Sequence, residues 1–303
     1  MPVFHSPSRP RFWPVVLAAA LVALVGGLAG CQKEPTSATE AKVPVVASIA
    51  PLADLVAQVG GDRVQVTQMV PLGSSPHTYE PTAGQMRAVS QARLLVLNGA
   101  GLEHWAEDVI QAAQNPRLQV LYLADGLPLI DRNPHLWLNP RYMMHYADKV
   151  AAALAQIDPQ NAAYYRERSQ AYQAQLEHLD ADIRAQLAQA PTAKVVTLHA
   201  AWEYFAREYG LQVVAVIETT PGREPSPAEV AAIVELMRRE GVRVVVVEKQ
   251  PTPAVAQVVA DEAGAQVVYM EPLGGPRPYD TYLGLMRANV DALVQALRAG
   301  NPR

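Results

Sequence analysis

Residues 159–190 read PQNAAYYRERSQAYQAQLEHLDADIRAQLAQA, a run with no glycine and no proline after Pro159, closed by Pro191. Within it Tyr165, Tyr172, Leu176, Leu179, Ile183 and Leu187 recur at steps of 7, 4, 3, 4 and 4, which is one face of a helix. About 30 residues at 1.5 Å each would span roughly 45 Å, more than the width of a small domain. On both sides of it, short β-branched runs alternate with helical patterns. The strands expected are Val43–Ser48, Val64–Val70, Leu94–Leu97 and Leu118–Leu123 before it, then Val195–Leu198, Gln212–Ile217, Val242–Val247 and Gln266–Tyr269 after it. Between them Met86–Gln91, His104–Ala113, Ser226–Arg239 and Pro253–Ala263 read as helices. Such alternation argues parallel sheets in an α/β fold. The long helix is therefore expected to connect two α/β lobes, over 43–157 and 192–303, with the connector at 158–191. A stiff connector limits hinging, so the ligand between the lobes should be small.

Helix starts are marked by an oxygen-bearing cap before proline at Asn139-Pro140, Asp158-Pro159, Ser226-Pro227 and Thr252-Pro253. Glu229, three residues after Ser226, completes a capping box. The whole chain has 303 residues, half of them hydrophobic and 18% charged, the composition of a folded protein of about two domains. A formal net charge of −4 argues against a nucleic-acid partner, which needs a basic surface. A single cysteine excludes an internal disulfide and any thiolate-rich metal cluster.

The N-terminus reads as an export signal. Arg9 and Arg11 precede an uncharged apolar run from Val15 to Ala29, shorter than the ~20 residues of a spanning helix. The sole cysteine follows at once, in Leu28-Ala29-Gly30-Cys31, which resembles a bacterial lipobox whose cysteine is lipidated after cleavage. Residues 1–30 are then a signal peptide and 31–42 a lipidated tether. Losing Arg9 and Arg11 and no acid takes the formal charge from −4 to −6. The expected location is outside the cytoplasm, lipid-anchored to the cell membrane and facing the periplasm or exterior.

Seven histidines are present, His5, His77, His104, His135, His145, His178 and His199, and none pairs with another at helical spacing. Spacing alone thus carries no metal motif. His5 lies in the signal, and His104, His145 and His178 fall in helical patterns among polar neighbours. His77, His135 and His199 each follow a strand, and ligands of open α/β sheets gather beyond the carboxyl ends of strands.

Four stretches then carry a resemblance. Val45–Pro51 with MVPLGSSPHTYEPT at 69–82, NPHLWLNP at 133–140, VTLHAAWEY at 196–204, and Glu271-Pro272-Leu273-Gly274 followed by Tyr282 and Met286-Arg287-Ala288-Asn289 occur in order. Together they resemble the ligand loops of the zinc/manganese solute-binding proteins of ABC uptake systems, the ZnuA/TroA type. The resemblance runs from about Val43 to Arg298. It implies two α/β lobes joined by one long helix, with a single divalent cation held by His77, His135, His199 and Glu271. Where the family usually has aspartate this chain has Glu271, so Asp280 is a rival carboxylate, and Glu248 stands as a residue behind the ligands. Asn139 also replaces a common aspartate.

Three imidazoles and one carboxylate suit Zn²⁺ as transported ligand, since Mn²⁺ prefers more oxygen donors. Manganese importers of this type often have a carboxylate where His199 stands. Zinc-specific relatives often carry a histidine-rich loop before the second ligand, whereas Gly126–Pro134 holds no histidine, so a manganese importer is the alternative. The resemblance further implies a membrane permease and its ATPase as partners of a monomer that breaks no bond. A zinc hydrolase and a metal-containing adhesin are the rivals from other classes. No nucleophile elbow accompanies the histidines. Affinity is expected to fall as pH drops through the imidazole range, around 6.5.

Overall fold

The computed structural model describes residues 1–3, 41–190, 194–219, 223–248 and 254–299. All of the strands and helices among the described residues lie in one compact unit, Lys42–Arg303. The signal, the Cys31 lipobox, most of the tether and the Thr252-Pro253 cap fall outside the described residues. No helix among the described residues is long and apolar enough to cross a membrane.

Among the described residues eight strands form, at the eight places expected. The first sheet contains β1 (Val43–Ala47), β2 (Val64–Gln68), β3 (Leu94–Leu97) and β4 (Gln119–Tyr122). The second contains β5 (Lys194–Thr197), β6 (Gln212–Val216), β7 (Val244–Val247) and β8 (Gln266–Tyr269). Their orders are β2-β1-β3-β4 and β6-β5-β7-β8, so one topology is used twice, and every pairing is parallel. The central strands β3 and β7, LLVL and VVVV, are buried throughout, as strands covered on both faces must be. The edge strand β2 alternates instead, with Gln65 and Thr67 exposed.

The helices are α1 (Ala50–Gly60), α2 (Ala83–Gln91), α3 (Ala106–Ala113), α4 (Pro140–Ile157), α5 (Ala162–Leu187), α6 (Glu203–Tyr209), α7 (Pro227–Glu240), α8 (Ala254–Ala263) and α9 (Tyr282–Ala299). The connector is slightly shorter than its sequence pattern. Pro159–Asn161 forms a 3-10 turn, and the α-helix proper runs 26 residues from Ala162. Asp158 caps no backbone N–H; its Oδ2 accepts instead from Asn161 and from the Tyr165 hydroxyl. Asn139 and Ser226 do cap, accepting from the N–H groups of Arg141 and Glu229. A further capping box, Thr82 with Gln85, opens α2. Gly241, at φ 68°, ends α7 in the left-handed region that a side chain avoids.

Tyr165, Tyr172, Leu176, Leu179 and Ile183 of α5 are buried as the periodicity requires, with Leu187 half-buried at its end. They belong to one apolar core that runs from the first sheet through α4 and α5 to Phe205 on α6, Val244 of β7 and Leu293 on α9. A second core fills the far side of the second sheet, under α7 and α8. The lobes are also stitched by polar contacts. The Trp137 indole N–H donates to the Pro272 carbonyl (2.8 Å), and the Tyr282 hydroxyl to the Trp137 carbonyl (2.7 Å).

Candidate metal centre

In the second sheet the order reverses between β5 and β7, the position where open α/β sheets form a crevice. His199 follows β5 and Glu248 follows β7, so both stand at that crevice, with His199 Nδ1 2.7 Å from Glu248 Oε1. In the first sheet the equivalent point, after β1 and β3, is filled by protein. There the buried Glu103 carboxylate accepts from Ser48 Oγ (2.6 Å) and from the N–H groups of Asn98 (2.8 Å) and Gly99 (2.9 Å). The first lobe's imidazoles come from its outer strands, His77 through the loop after β2 and His135 through the loop after β4.

The three rings meet. His77 Nε2 lies 3.2 Å from His135 Nε2, and His199 Nε2 lies 3.4 Å from the same atom. Four donors around a cation at ~2.0–2.1 Å in a tetrahedron have edges of about 3.3–3.4 Å, and the two separations from His135 match that edge, while a donor atom from each of the three rings lies within 4.8 Å of the others. His135 is fully enclosed, with its ring 5.1 Å from the buried Trp137 indole. Burial, reinforced by the neighbouring His199 and His104, lowers the His77 pKa to about 4. Burial and the other two rings push His135 well below the ordinary imidazole value. Both are therefore neutral at pH 7, the form that ligates a metal. This alters the expectation of proton competition near pH 6.5, because for these two rings burial moves it lower.

The carboxylates are placed differently. The group of donor atoms within 4.8 Å of one another comprises the three imidazoles, and neither Glu271 nor Asp280 belongs to it. Glu271 follows β8 on a loop held against α9, its N–H donating to Asn289 Oδ1 and its carbonyl accepting from Asn289 Nδ2. Its Oε1 accepts from the Leu273 N–H at 3.2 Å. The loop continues to Pro272, bonded to Trp137, which packs on His135. Asp280 pairs with Arg277 (3.1 Å) and lines a separate cleft with Asp54, Gln68 and Tyr279. His145 and His178 sit on α4 and α5 outside the cluster. His104 lies in the turn before α3, exposed, near enough to His77 to disfavour its protonation.

Sequence reasoning missed Asn133. Buried beside His135, it bonds both that histidine and the second lobe. The only signal was its position two residues before the histidine.

The chain is 29% identical over 295 residues to the manganese-binding lipoprotein MntA of Halalkalibacterium halodurans, covering 93% of this chain and 97% of that one. A crystal structure of ZnuA superposes with a TM-score of 0.77 at 31% identity, covering 85% of this chain and all of that one. The SBP FpvC of Pseudomonas aeruginosa, solved with Ni²⁺ and with Mn²⁺, gives a TM-score of 0.78 at 29% identity, over 87% and 86% of this chain and 99% and 100% of those. The family described as zinc-uptake complex component A periplasmic, ZnuA, matches residues 45–296, and this chain belongs to that family.

Proposed function

We propose that this protein captures one divalent transition-metal ion, Zn²⁺ foremost, in the crevice between its lobes and delivers it to an ABC permease driven by a cytoplasmic ATPase. The observation that carries the reading is the convergence of three imidazoles from distant parts of the chain, with donor atoms within 4.8 Å of one another and His77 and His199 Nε2 at 3.2 and 3.4 Å from His135 Nε2. His77 and His135 come from the lobe at 43–157, His199 and Glu271 from the lobe at 192–303, and 158–191 connects them. Glu271 supplies the fourth donor by turning its carboxylate from the Leu273 N–H toward the ion. Its loop is tied to the Trp137 segment, whereas Asp280 faces another cleft. Filling the fourth position with a carboxylate leaves no open site for an activated water, which is why binding rather than hydrolysis is the chemistry. Export, lipidation at Cys31 and a monomeric state complete the proposal, with the tether at 31–42 keeping the lobes near the membrane.

Three nitrogen donors favour zinc over manganese. Manganese is the second reading, supported by the similarity to MntA and to FpvC with Mn²⁺. X-ray absorption on the zinc-loaded protein is expected to show three nitrogens and one oxygen near 2.0–2.1 Å. Glu271→Ala should weaken zinc retention and hydrolyse generic esters no faster than the parent. A zinc shell with fewer than three imidazoles, or ester turnover in either version, would overturn the reading. Metal analysis of protein purified from its native host decides between the two ions.

A further inference from the structure

Asn133 has every polar group engaged. Its backbone N–H donates to the Ile130 carbonyl (2.7 Å), and its carbonyl accepts from the Tyr204 hydroxyl (2.7 Å) on α6 of the second lobe. Its side chain faces two ways. Oδ1 stands 2.9 Å from the His135 backbone N–H and 2.7 Å from His135 Nδ1. Nδ2 faces Glu203 Oε2 (2.8 Å) and the carbonyl of Ala200, the residue directly after His199. This orientation of the amide is forced, because a backbone N–H needs an acceptor and a carbonyl and a carboxylate need a donor. An amide oxygen only accepts, so the neutral His135 ring must carry its proton on Nδ1 and present the Nε2 lone pair to the other two rings.

We infer that Asn133 is a positioning residue that couples the first lobe's buried ligand to the second lobe. One end of the amide sets the His135 tautomer, and the other holds the start of α6 behind His199. This rests on the proposed metal capture and goes beyond its ligand set. The amide works here because it is neutral and two-faced. An aspartate would keep the acceptor for His135 but set an anion against Glu203 and the Ala200 carbonyl, and an alanine would remove both contacts. While both contacts are made, the His135 loop and the His199 segment are held in register, and letting the ion go requires parting them.

Two measurements test the two ends separately. Nitrogen-15 NMR of the metal-free protein at pH 7 is expected to find His135 protonated at Nδ1, and Asn133→Ala is expected to lose that preference. A wild-type ring protonated at Nε2, or an unchanged tautomer in Asn133→Ala, overturns the positioning role whether or not the protein binds zinc. Stopped-flow release of Zn²⁺ into a chelator tests the coupling. Glu203→Ala, which leaves the Oδ1 contact intact, is expected to speed release about tenfold with the His135 tautomer unchanged, and Asn133→Asp at least as much. Release within twofold of wild type in Glu203→Ala overturns the coupling. Failure of the parent protein to bind zinc would instead count against the metal reading, which the tautomer measurement does not depend on.

Discussion

At the residue scale, the decisive property of His77 and His135 is that burial keeps them neutral. A free imidazole titrates near 6.5, so at pH 5 each ordinary ring would compete with a metal by a factor of about 30. Lowering His77 to about 4 and His135 well below its usual value removes two such factors. Calorimetric zinc titrations at pH 7 and pH 5 are therefore expected to differ by about a thousandfold less than three ordinary imidazoles would give. A loss of more than four decades over that interval would show both rings titrating normally. The same shift sets the sign for stability of the metal-free protein. Between about pH 6.5 and 4 the unfolded chain binds protons that folded His77 refuses, so stability is full above 6.5 and declines as pH falls through this window. Urea midpoints measured from pH 7 to 4 should fall, and His77→Gln should flatten that fall.

At the element scale, α5 was legible because its periodicity is a consequence of packing. Its buried face carries two tyrosines whose hydroxyls have different fates. Tyr165 donates to Asp158 Oδ2 at 2.6 Å, while the Tyr172 hydroxyl is buried with no hydrogen-bond partner among the described residues. Removing an unpaired buried hydroxyl loses nothing and relieves its desolvation, whereas removing a paired one loses a bond to an ionised group. Tyr172→Phe is expected to be neutral or stabilising by about 1 kcal/mol, and Tyr165→Phe destabilising by about 1–2 kcal/mol, in urea unfolding. The reverse order would contradict the packing of this face. The polar side of the same helix ties the lobes together. Arg184 pairs with Asp180 and Glu208, Arg141 at the start of α4 lies 3.2 Å from Glu208, and the Tyr209 hydroxyl donates to Asp180 (2.8 Å). Only the Asp180–Arg184 pair, four residues apart on one helix, shows in the sequence, and the rest of the network does not, since its members come from three helices.

At the scale of the whole molecule, the shared core that reaches from the first sheet to Phe205 and Leu293 makes the lobes one folding unit despite their repeated topology. Thermal unfolding of the metal-free protein is expected to be a single transition, and separate transitions for the lobes would contradict the shared core. Free Zn²⁺ at a hundredfold excess over its dissociation constant stabilises by about 2.7 kcal/mol. For a domain of this size that corresponds to a rise in Tm of about 5–10 °C. Calorimetry with zinc should move the whole transition. A shift confined to part of it would mean that only one lobe holds the ion.

The strands, the connector and the place of three histidines just beyond strands could be read from the chain because each depends on local pattern, whereas the ligand role proposed for those histidines came with the family resemblance. The expectation for Glu271 rested on family resemblance, and its carboxylate lies outside the histidine group, bonded to a neighbouring N–H. What only the tertiary structure decided is everything that depends on two lobes meeting: the spacing of the Nε2 atoms, the lowered basicity of His77 and His135, and the two-sided role of Asn133. Those properties arise from burial and from partners about 60–70 positions away in the chain, which no local pattern encodes.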